Sequence, residues 1–319
     1  MSTSVFDEIR AGCAAVAERA RAVRIDDARL RDFALELVAQ PPREEADPSR
    51  RPWDEAETTL AFVVTLDAVN FGSGWFPLLR KREGRSGYRT IAGALEARFR
   101  QEGPFSAREL QVLTPEHCAT LFDQPTGTEI DALMAHFSRA LVDLGHWLER
   151  RFGGSFARMV EAAEARAETL VGLLDEMPLY HDVSRYGELR VPFYKRAQIT
   201  AWDLACAFGG KGYGRFDDLD ELTLFADNLV PHVLRRAGVL HYTPALSTRI
   251  DAGTPLEPGS PEEVEIRACA VVAVERCVAL ARTEGHHVNA ARLDGWLWNR
   301  GQSPEIKAHP RHRARSVYY

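Results

Sequence analysis

The chain has 319 residues, 45% of them hydrophobic, and a formal net charge of −6 at pH 7. Its length and apolar content suffice for a full hydrophobic core, so we expect a soluble globular protein. The acidic balance argues against a protein that holds a nucleic-acid polymer by bulk electrostatics, although it is compatible with a local basic pocket for one phosphate. The N-terminus does not resemble a signal peptide, and no apolar run approaches the roughly 20 residues that span a bilayer. We therefore expect a cytoplasmic protein that does not bind membranes.

The cysteines and histidines do not form a metal-binding pattern. The five cysteines are odd in number and lack C-x-x-C spacing, which indicates buried thiols rather than a disulfide framework or a zinc site. The histidines at 286–287 and at 309 and 312 lack a carboxylate or cysteine partner at ligand spacing. The sequence therefore predicts no bound metal.

Apolar residues recur at three- and four-residue spacing through most of the chain, which is typical of amphipathic helices. A charged, proline-bearing surface loop is expected over 43–53, and the only strand-like segment is 187–194. We predict an all-α fold with at most a short β hairpin. The fold should form a single domain over 1–319. One way to build this domain is from two helical lobes around a central cleft.

The predicted helices cover residues 6–23, 30–38, 90–100, 114–122, 128–148, 155–177, 195–206 and 263–282. The apolar segment 59–79 must be buried as a helix or a strand, and its length favours a helix. Gly153 and Gly154 are expected to break the helix that begins at 128.

A glycine-rich turn with large aromatic side chains, Asn70 to Phe76, lies at the end of the apolar segment 59–79. Glycine lets the backbone approach a ligand closely, and Phe71 and Trp75 offer flat apolar faces to a planar base. An ordinary turn that buries aromatic side chains in the core fits the same residues. The residues alone leave both interpretations open.

Two other motifs indicate structural roles. The segment FGGKGYG at 208–214 lacks the GxxxxGK[ST] spacing of a phosphate-binding loop and follows a predicted helix, so we interpret it as a tight turn between helices. Ser260 and Glu263 form a capping box with Pro261 at the first helical position. The helix that follows is largely apolar, so its charged side chains Glu265, Arg267, Glu275 and Arg276 are expected to pair or to face a cleft.

Asp227 lies where a short helix begins. Pro231 lacks a backbone N–H and is tolerated only in the first helical turn, which places Asp227 and Asn228 at or beside the N-cap, while Gly238 suits the position after the helix. The N–H groups of a helix start favour the ionised form of a carboxylate, which suits a nucleophile or a cation stabiliser better than a general acid. The residues alone favour simple capping.

Eight segments follow one another along the chain: FVVTLDAVNFGSGWF, SGYRTIAGAL, RFGGSF, FYKRAQI, LTLFADNLVPHVLRRAGVL, GSPEEVEIRA, LDGWLW and VYY. In that order and spacing they resemble the queuosine salvage family, whose members are queuosine 5′-phosphate N-glycosylase/hydrolase proteins. The spacing D-x-x-V-x-x-V-L-R-R-x-G from Asp227 is also similar to that of helix-hairpin-helix DNA glycosylases, in which the catalytic Asp occupies such a cap. The resemblance extends from about Thr59 to the last residue. It departs from the family pattern at NFGSGWF, which is bulkier after the Phe in relatives.

The resemblance implies a helical, DNA-glycosylase-like fold and the hydrolysis of queuosine 5′-monophosphate into queuine and ribose 5-phosphate, without a cofactor. Asp227 is then the catalytic carboxylate, because cleavage of an N-glycosidic bond develops positive charge at the sugar C1′. The expected substrate-binding residues are Lys195, Arg196 and the basic C-terminal tail for the phosphate, Phe71 or Trp75 for stacking, Asn70 or Asp67 for the polar edge of the base, and Tyr319. Asp294 and Trp298 are weaker candidates, for which a structural role is favoured.

Two other classes of protein share parts of this pattern. A base-excision glycosylase needs a basic groove for polymer phosphates, against which the net charge counts. A non-catalytic queuine- or nucleoside-binding protein shares the pocket but forms no product. We expect a monomer that acts on a small-molecule nucleotide, without a stable nucleic-acid partner.

Overall fold

The computed structural model describes residues 3–39 and 53–319, so the loop predicted over 43–53 lies outside the described residues except for Trp53. The predicted mostly helical fold is confirmed. In chain order the elements are α1 Val5–Ala17, β1 Val23–Ile25, α2 Asp27–Ala39, α3 Ala56–Ala68, α4 Gly87–Glu102, α5 Ala107–Leu110, α6 Pro115–Leu121, α7 Asp131–Phe152, α8 Phe156–Glu161, α9 Ala167–Leu174, β2 Val183–Tyr186, β3 Leu189–Pro192, α10 Lys195–Ala207, α11 Val230–Arg236, β4 Leu240–Tyr242, α12 Pro244–Asp251, α13 Pro261–Thr283, α14 Ala290–Arg300 and α15 Pro304–Lys307.

The chain divides into two compact units, each with its own core. The first contains α1 and α2, Asp182–Gln198 and Asp218–Arg315. Its central element is α13, which packs against α1, α2, α11, α14 and β1. Most of the residues in the first five turns of α13 are buried, as expected for a helix surrounded by other elements.

The second unit contains the chain from α3 to His181, Ile199–Asp217 and Ser316–Tyr319. Its longest helix, α7, packs against α3, α5, α6 and α8. Helix α3 is buried on every side from Thr59 onward, which agrees with the apolar run predicted there, but the helix ends at Ala68 and the remainder of the segment 59–79 is not helical. The sequence continues from α3 into the glycine-rich turn.

Two two-stranded antiparallel sheets occur in the described residues, and both lie in the first unit. The hairpin β2–β3 pairs Tyr186 with Leu189, close to the predicted strand-like segment. The second sheet, β1–β4, adds to the single predicted hairpin, and the predicted helix over 6–23 is wrong in its last turns. Helix α1 ends at Ala17 because the next segment turns toward α13, where Glu265 Oε2 accepts hydrogen bonds from the main chain of Arg21, Ala22 and Val23 at 3.0, 2.6 and 3.0 Å.

Several predicted helix ends are confirmed by their capping geometry. Helix α6 begins after Thr114, whose hydroxyl accepts from the main chain of His117 at 3.3 Å. Helix α7 stops at Gly153, which has a left-handed φ of 59°. Gly238 follows the C-cap of α11 with a φ of 78°, as predicted for the position after that helix.

The single helix predicted over 155–177 is wrong, because the chain breaks into α8 and α9. Glu164 and Ala165 have positive φ values of 51° and 56°, which an α-helix does not contain. The carbonyl of Ala165 accepts a hydrogen bond from the main chain of Asp217 at 2.8 Å. This long-range contact outweighs the helix propensity of the Ala- and Glu-rich sequence.

The capping box predicted at Ser260 is also wrong in detail. Ser260 is the N-cap residue of α13 and Pro261 lies in its first turn, but the Ser260 hydroxyl makes no capping hydrogen bond. The Glu263 carboxylate instead accepts from the main chain of Gly259 at 3.1 Å. Glu263 also lies 3.8 Å from the Arg267 guanidinium, so its charge pairs with a residue one turn later in α13.

Candidate functional site

The Asp227 carboxylate sits beside the start of α11, in the first unit. Its Oδ1 accepts hydrogen bonds from the main chain of Leu229 at 2.7 Å and of Val230 at 3.0 Å. Among residues 3–39 and 53–319, no hydrogen-bond donor contacts its Oδ2. Asp227 is half-buried, and its carboxylate is fixed through Oδ1 alone. Oδ2 can therefore accept a hydrogen bond or face a cation of a ligand.

Lys195 and Arg196 occupy the first turn of α10. Lys195 is 6% exposed and Arg196 2% exposed, so neither is an ordinary surface cation. The main chain of Lys195 donates to Asp182 Oδ2 at 3.1 Å. Tyr194, directly before them, has a φ of 47°, a left-handed conformation that is rare outside glycine.

Arg311, also in the first unit, lies within electrostatic reach of Asp227. Burial lowers the pKa of Arg311, and the negative charge of Asp227 acts in the opposite direction. In the part of the chain that the structure describes, no acceptor lies within hydrogen-bonding or ion-pairing distance of Arg311. A guanidinium in this condition is a natural partner for an anionic ligand, since a desolvated cation without an anion is costly.

Two buried histidines belong to the same region. His232, in α11, donates from Nε2 to the carbonyl of Ile306 at 3.1 Å, which ties α11 to α15. Burial lowers the pKa of His232 to about 4 and that of His312 to about 3, and the Arg311 charge acts in the same direction on both. Both imidazoles are therefore neutral near pH 7 and add no charge beside Asp227.

Asp294 is the remaining predicted residue of the first unit. It lies in α14, which packs against α11, and its side chain is buried. Trp298, one turn later, is half-buried. Their contact with a ligand stays a prediction.

The glycine-rich turn lies in the second unit, where it holds the last residue of the chain. The main chains of Gly72 and Ser73 donate to the main-chain oxygen of Tyr319 at 2.9 and 3.4 Å, and Tyr319 is buried. Gly72 has a φ of 95°, which other residues rarely adopt, and a Cβ at this position would also force Leu133 Cδ1 to move from 2.5 Å, so any substitution would be strained. The C-terminal tail is thus docked on the turn.

The aromatic side chains of the turn are packed edge-on against α7. The ring of Phe71 lies 5.1 Å from that of Phe137, and Trp75 lies 5.6 Å from His136. Both aromatic residues are buried. The indole Nε1 of Trp75 is also buried, and it has no acceptor among the described residues. A buried N–H donor of this kind is available to a ligand acceptor.

The polar candidates of this unit flank the same turn. Asp67 is fully buried in the last turn of α3, and Asn70, half-buried, follows α3. The structure therefore brings Asp67, Asn70, Phe71, Trp75 and Tyr319 to one short stretch of the second unit. Whether these side chains read a base stays a prediction.

Comparison with known proteins decides the family. The family model described as queuosine salvage protein matches residues 50–319. A protein of Sphaerobacter thermophilus is 36% identical over 310 residues, covering 95% of both chains. A Bos taurus protein is 31% identical over 332 residues, covering 95% of this chain and 96% of its own, and a Mus musculus protein is 32% identical over 285 residues, covering 82% of both. All three are named queuosine 5′-phosphate N-glycosylase/hydrolase. The chain belongs to the queuosine salvage protein family.

The match to the queuosine salvage model includes the position of every predicted site residue, from Asp67 to Tyr319. Sequence reasoning did not identify Arg311, because only its placement beside Asp227 distinguishes it from other arginines of the basic tail. It did predict that the charges of α13 would pair. That prediction is confirmed, since Arg267 pairs with Asp182 and Arg276 pairs with Asp27.

The described residues of this member of the queuosine salvage family contain neither a metal cluster nor a membrane-crossing helix. No cluster of three or more His, Cys, Asp or Glu side chains suited to a metal ion occurs there. Within the same residues, none of the helices combines the length and the apolar character that a membrane crossing requires.

Proposed function

We propose that the chain hydrolyses the N-glycosidic bond of queuosine 5′-monophosphate and releases queuine and ribose 5-phosphate. Membership of the queuosine salvage family, and the activity that its relatives are named for, support the substrate and the reaction. The geometry of Asp227 is the observation that carries the chemistry. Its carboxylate is fixed by two main-chain N–H groups through Oδ1, and Oδ2 is left for a ligand.

Asp227 stabilises the sugar as the bond breaks. Departure of the base gives the ribose C1′ oxocarbenium character, and an ionised carboxylate beneath the ring stabilises that charge. A carboxylate held in advance by its own main chain needs little rearrangement in the transition state, which is where preorganised charges contribute most to catalysis. The helix start that fixes Oδ1 thus prepares Oδ2 for this role.

The leaving base requires help at its pyrimidine edge. Queuine is a 7-deazapurine, so it lacks the N7 that other purine glycosylases protonate, and hydrogen bonds to the remaining edge must stabilise the departing anion. We assign the reading of this edge to Asn70 or Asp67 and the stacking to Phe71 or Trp75. The buried Trp75 Nε1 supports this assignment, because an indole N–H without a protein acceptor among the described residues can donate to the base.

The 5′-phosphate needs a cationic pocket. Lys195 and Arg196 are buried at the start of α10, and Arg311 lacks an acceptor among the described residues. A phosphate near pH 7 carries close to two negative charges, and charge-assisted hydrogen bonds to it are roughly twice as strong as neutral ones. We assign the phosphate to Lys195 and Arg311, with Arg196 and the basic C-terminal tail in support.

We further propose that the protein acts as a monomer in the cytoplasm and has no stable nucleic-acid partner. The net charge of −6 supports the absence of a polymer-binding groove. Four cysteines, at positions 13, 118, 269 and 277, are buried free thiols, which suits a reducing compartment. Burial raises the pKa of Cys118, Cys269 and Cys277 to about 12, so these thiols are unreactive.

The deciding experiment is incubation of the purified protein with queuosine 5′-monophosphate and chromatographic detection of free queuine. We expect queuine and ribose 5-phosphate in equal amounts. Tight binding of the nucleotide without product would instead identify a binding protein. Release of a base from DNA or RNA, with binding that weakens steeply as salt rises, would identify a base-excision glycosylase.

A further inference from the structure

A buried ion pair of the first unit holds the main chain next to Asp227. Arg267, in α13, is 1% exposed, and Asp182 is 2% exposed. The guanidinium donates to both carboxylate oxygens, at 3.0 Å to Oδ1 and 2.7 Å to Oδ2. Its Nε donates to the carbonyl of Ala226 at 3.0 Å. Arg267 therefore fixes the residue directly before Asp227 from inside the core.

The same pair also holds the start of α10. The Asp182 carboxylate accepts a third hydrogen bond, at Oδ2, from the main chain of Lys195 at 3.1 Å. The Asp182 main-chain oxygen accepts from Phe193 at 2.9 Å and from Tyr194 at 3.3 Å. The Arg267 guanidinium lies over the ring of Phe193, 3.9 Å from its centroid. One buried network thus joins the segment of Asp227 to the first residue of α10.

Backbone strain at Tyr194 is a separate sign that the surrounding structure fixes the conformation of the chain between β3 and α10. A φ of 47° is unfavourable for a tyrosine and persists only where the surroundings fix it. The Tyr194 hydroxyl accepts from Arg190 at 2.9 Å, so its side chain is anchored as well. The strain lies immediately before Lys195, and it sets the direction in which that residue leaves the hairpin.

Fold stability alone does not explain an ion pair at this position. A well-packed apolar pair of similar volume is commonly at least as stabilising as a buried ion pair, because two charges must be desolvated. An arginine, however, bonds a carboxylate through two donors and still has Nε for a carbonyl, which fixes direction as well as distance. The pair provides orientation that apolar side chains lack.

We propose that Arg267 and Asp182 are positioning residues that set the placement of the Asp227 carboxylate relative to the Lys195 ammonium. The inference rests on the proposed function, in which the first group faces the ribose and the second the phosphate of one nucleotide. Because the two groups act on one substrate, an error in their separation is felt in the transition state more than in binding.

The test is a neutral double variant with a matched control on the same helix. Arg267→Met/Asp182→Asn neutralises both partners of this pair, so neither is left as a charge without the other, and the amide oxygen that it introduces at position 182 can still accept from the main chain of Lys195. Arg10→Met/Glu275→Gln neutralises another pair of α13, in which Arg10 Nε lies 3.1 Å from Glu275 Oε2. Thermal unfolding and circular dichroism would check that both variants fold.

We expect the Arg267/Asp182 variant to lose about 10- to 100-fold in kcat, with a smaller change in KM, because a misplacement of about 1 Å can cost that much. The control variant should be destabilised and keep its kcat. An unchanged kcat in a folded Arg267/Asp182 variant, or an equal loss in the control, would overturn the proposal.

Arg267→Lys separates orientation from charge. Lysine keeps the positive charge but cannot bond both carboxylate oxygens and the Ala226 carbonyl in one plane, so we expect kcat to stay low. Full activity of this variant would contradict a positioning role. If the unmodified protein bound the nucleotide without releasing queuine, the proposed reaction would fail while the network stayed testable. In that case the double variant should still bind the nucleotide about tenfold more weakly through Lys195, and unchanged affinity would overturn the inference.

Discussion

The segment that carries Asp227 is fixed by hydrogen bonds and charges, whereas the turn from Asn70 to Phe76 is fixed by aromatic packing. Arg267 and two N–H groups hold the former, and edge-on contacts to α7 hold the latter. In the first segment the group that is proposed to face the ligand differs from the groups that hold it. In the second the same rings serve the core and are predicted to stack on a base. Substitutions should therefore separate chemistry from stability in the first segment more cleanly than in the second.

Asp227→Asn gives the largest expected effect. The amide oxygen of Asn can still accept from Leu229 and Val230, so the start of α11 should persist and only the charge is lost. We expect base release to fall by roughly 10³-fold or more, with little change in nucleotide affinity. The measurements are single-turnover release of queuine and calorimetric binding of the nucleotide.

The matched control for Asp227→Asn is Asp251→Asn. Asp251 is an exposed carboxylate of the same unit, at the end of α12, in an ion pair with Arg235. Its neutralisation should leave turnover unchanged. Retained turnover in Asp227→Asn would reject the catalytic assignment, and a loss of folding in that variant would mean that its capping bonds require the charge.

Lys195→Ala and Arg311→Met test the phosphate assignment and give the next largest effect. Each charge-assisted hydrogen bond contributes about 1.5–3 kcal/mol, so affinity for queuosine 5′-monophosphate should fall roughly 10- to 100-fold. Affinity for the unphosphorylated nucleoside should change far less. Lys211→Ala is the control. Lys211 is exposed, and it lies in the segment 208–214, which lacks the spacing of a phosphate-binding loop. Equal losses for both ligands would contradict a phosphate role.

Periodicity and capping signals predicted the parts of this fold that depend on neighbouring residues. The start of α11 follows from Pro231, the end of α7 from Gly153, and the buried α3 from its unbroken apolar run. The strand at Val23 and the break at Ala165 were missed for one physical reason. Each depends on a partner distant in sequence, Glu265 for the former and Asp217 for the latter.

The residues of the candidate site also differ in whether local sequence marks them or a distant partner defines their role. Asp227 and Lys195 were accessible to sequence reasoning because a helix start and a family motif mark them. Asp182 carries no local signal, since its role comes from a guanidinium 85 positions later in the chain. Arg267 was recognised as a charge that must pair, but its partner and its bond to Ala226 required the fold.

Trp75→Phe examines the aromatic side of the comparison and should have a moderate effect. The substitution keeps a ring against His136 and removes the buried Nε1 donor, which lacks an acceptor among the described residues. Stability should change little, and queuine affinity should fall by up to about tenfold, the value of one hydrogen bond. Unchanged affinity would assign the ring to the core alone.

Trp147→Phe provides the opposite case in the same unit. Trp147 is buried in α7, and its indole N–H already donates to Glu176 Oε2 at 2.8 Å. Its loss should lower the unfolding midpoint without changing queuine affinity. If Trp147→Phe weakened binding as much as Trp75→Phe, the effect of both would be a general loosening of this unit.

His232→Gln has the smallest expected effect and tests how strongly the Asp227 region depends on buried polar groups. Burial lowers the pKa of His232 to about 4, whereas in the unfolded chain it returns toward 6.5. Between pH 6.5 and 4 the unfolded state therefore binds more protons than the folded state. This contribution to stability is complete above pH 6.5 and is lost as the pH falls toward 4.

Glutamine does not titrate, and its amide can still donate to the carbonyl of Ile306, the partner of His232 Nε2. The free energy of unfolding of the parent protein should thus fall faster with acid than that of His232→Gln, by up to about 1.4 kcal/mol per pH unit. Urea denaturation at several pH values between 7 and 4 measures this difference. Parallel curves would mean that the imidazole becomes protonated without cost in the fold, which is incompatible with a buried, neutral histidine beside Arg311.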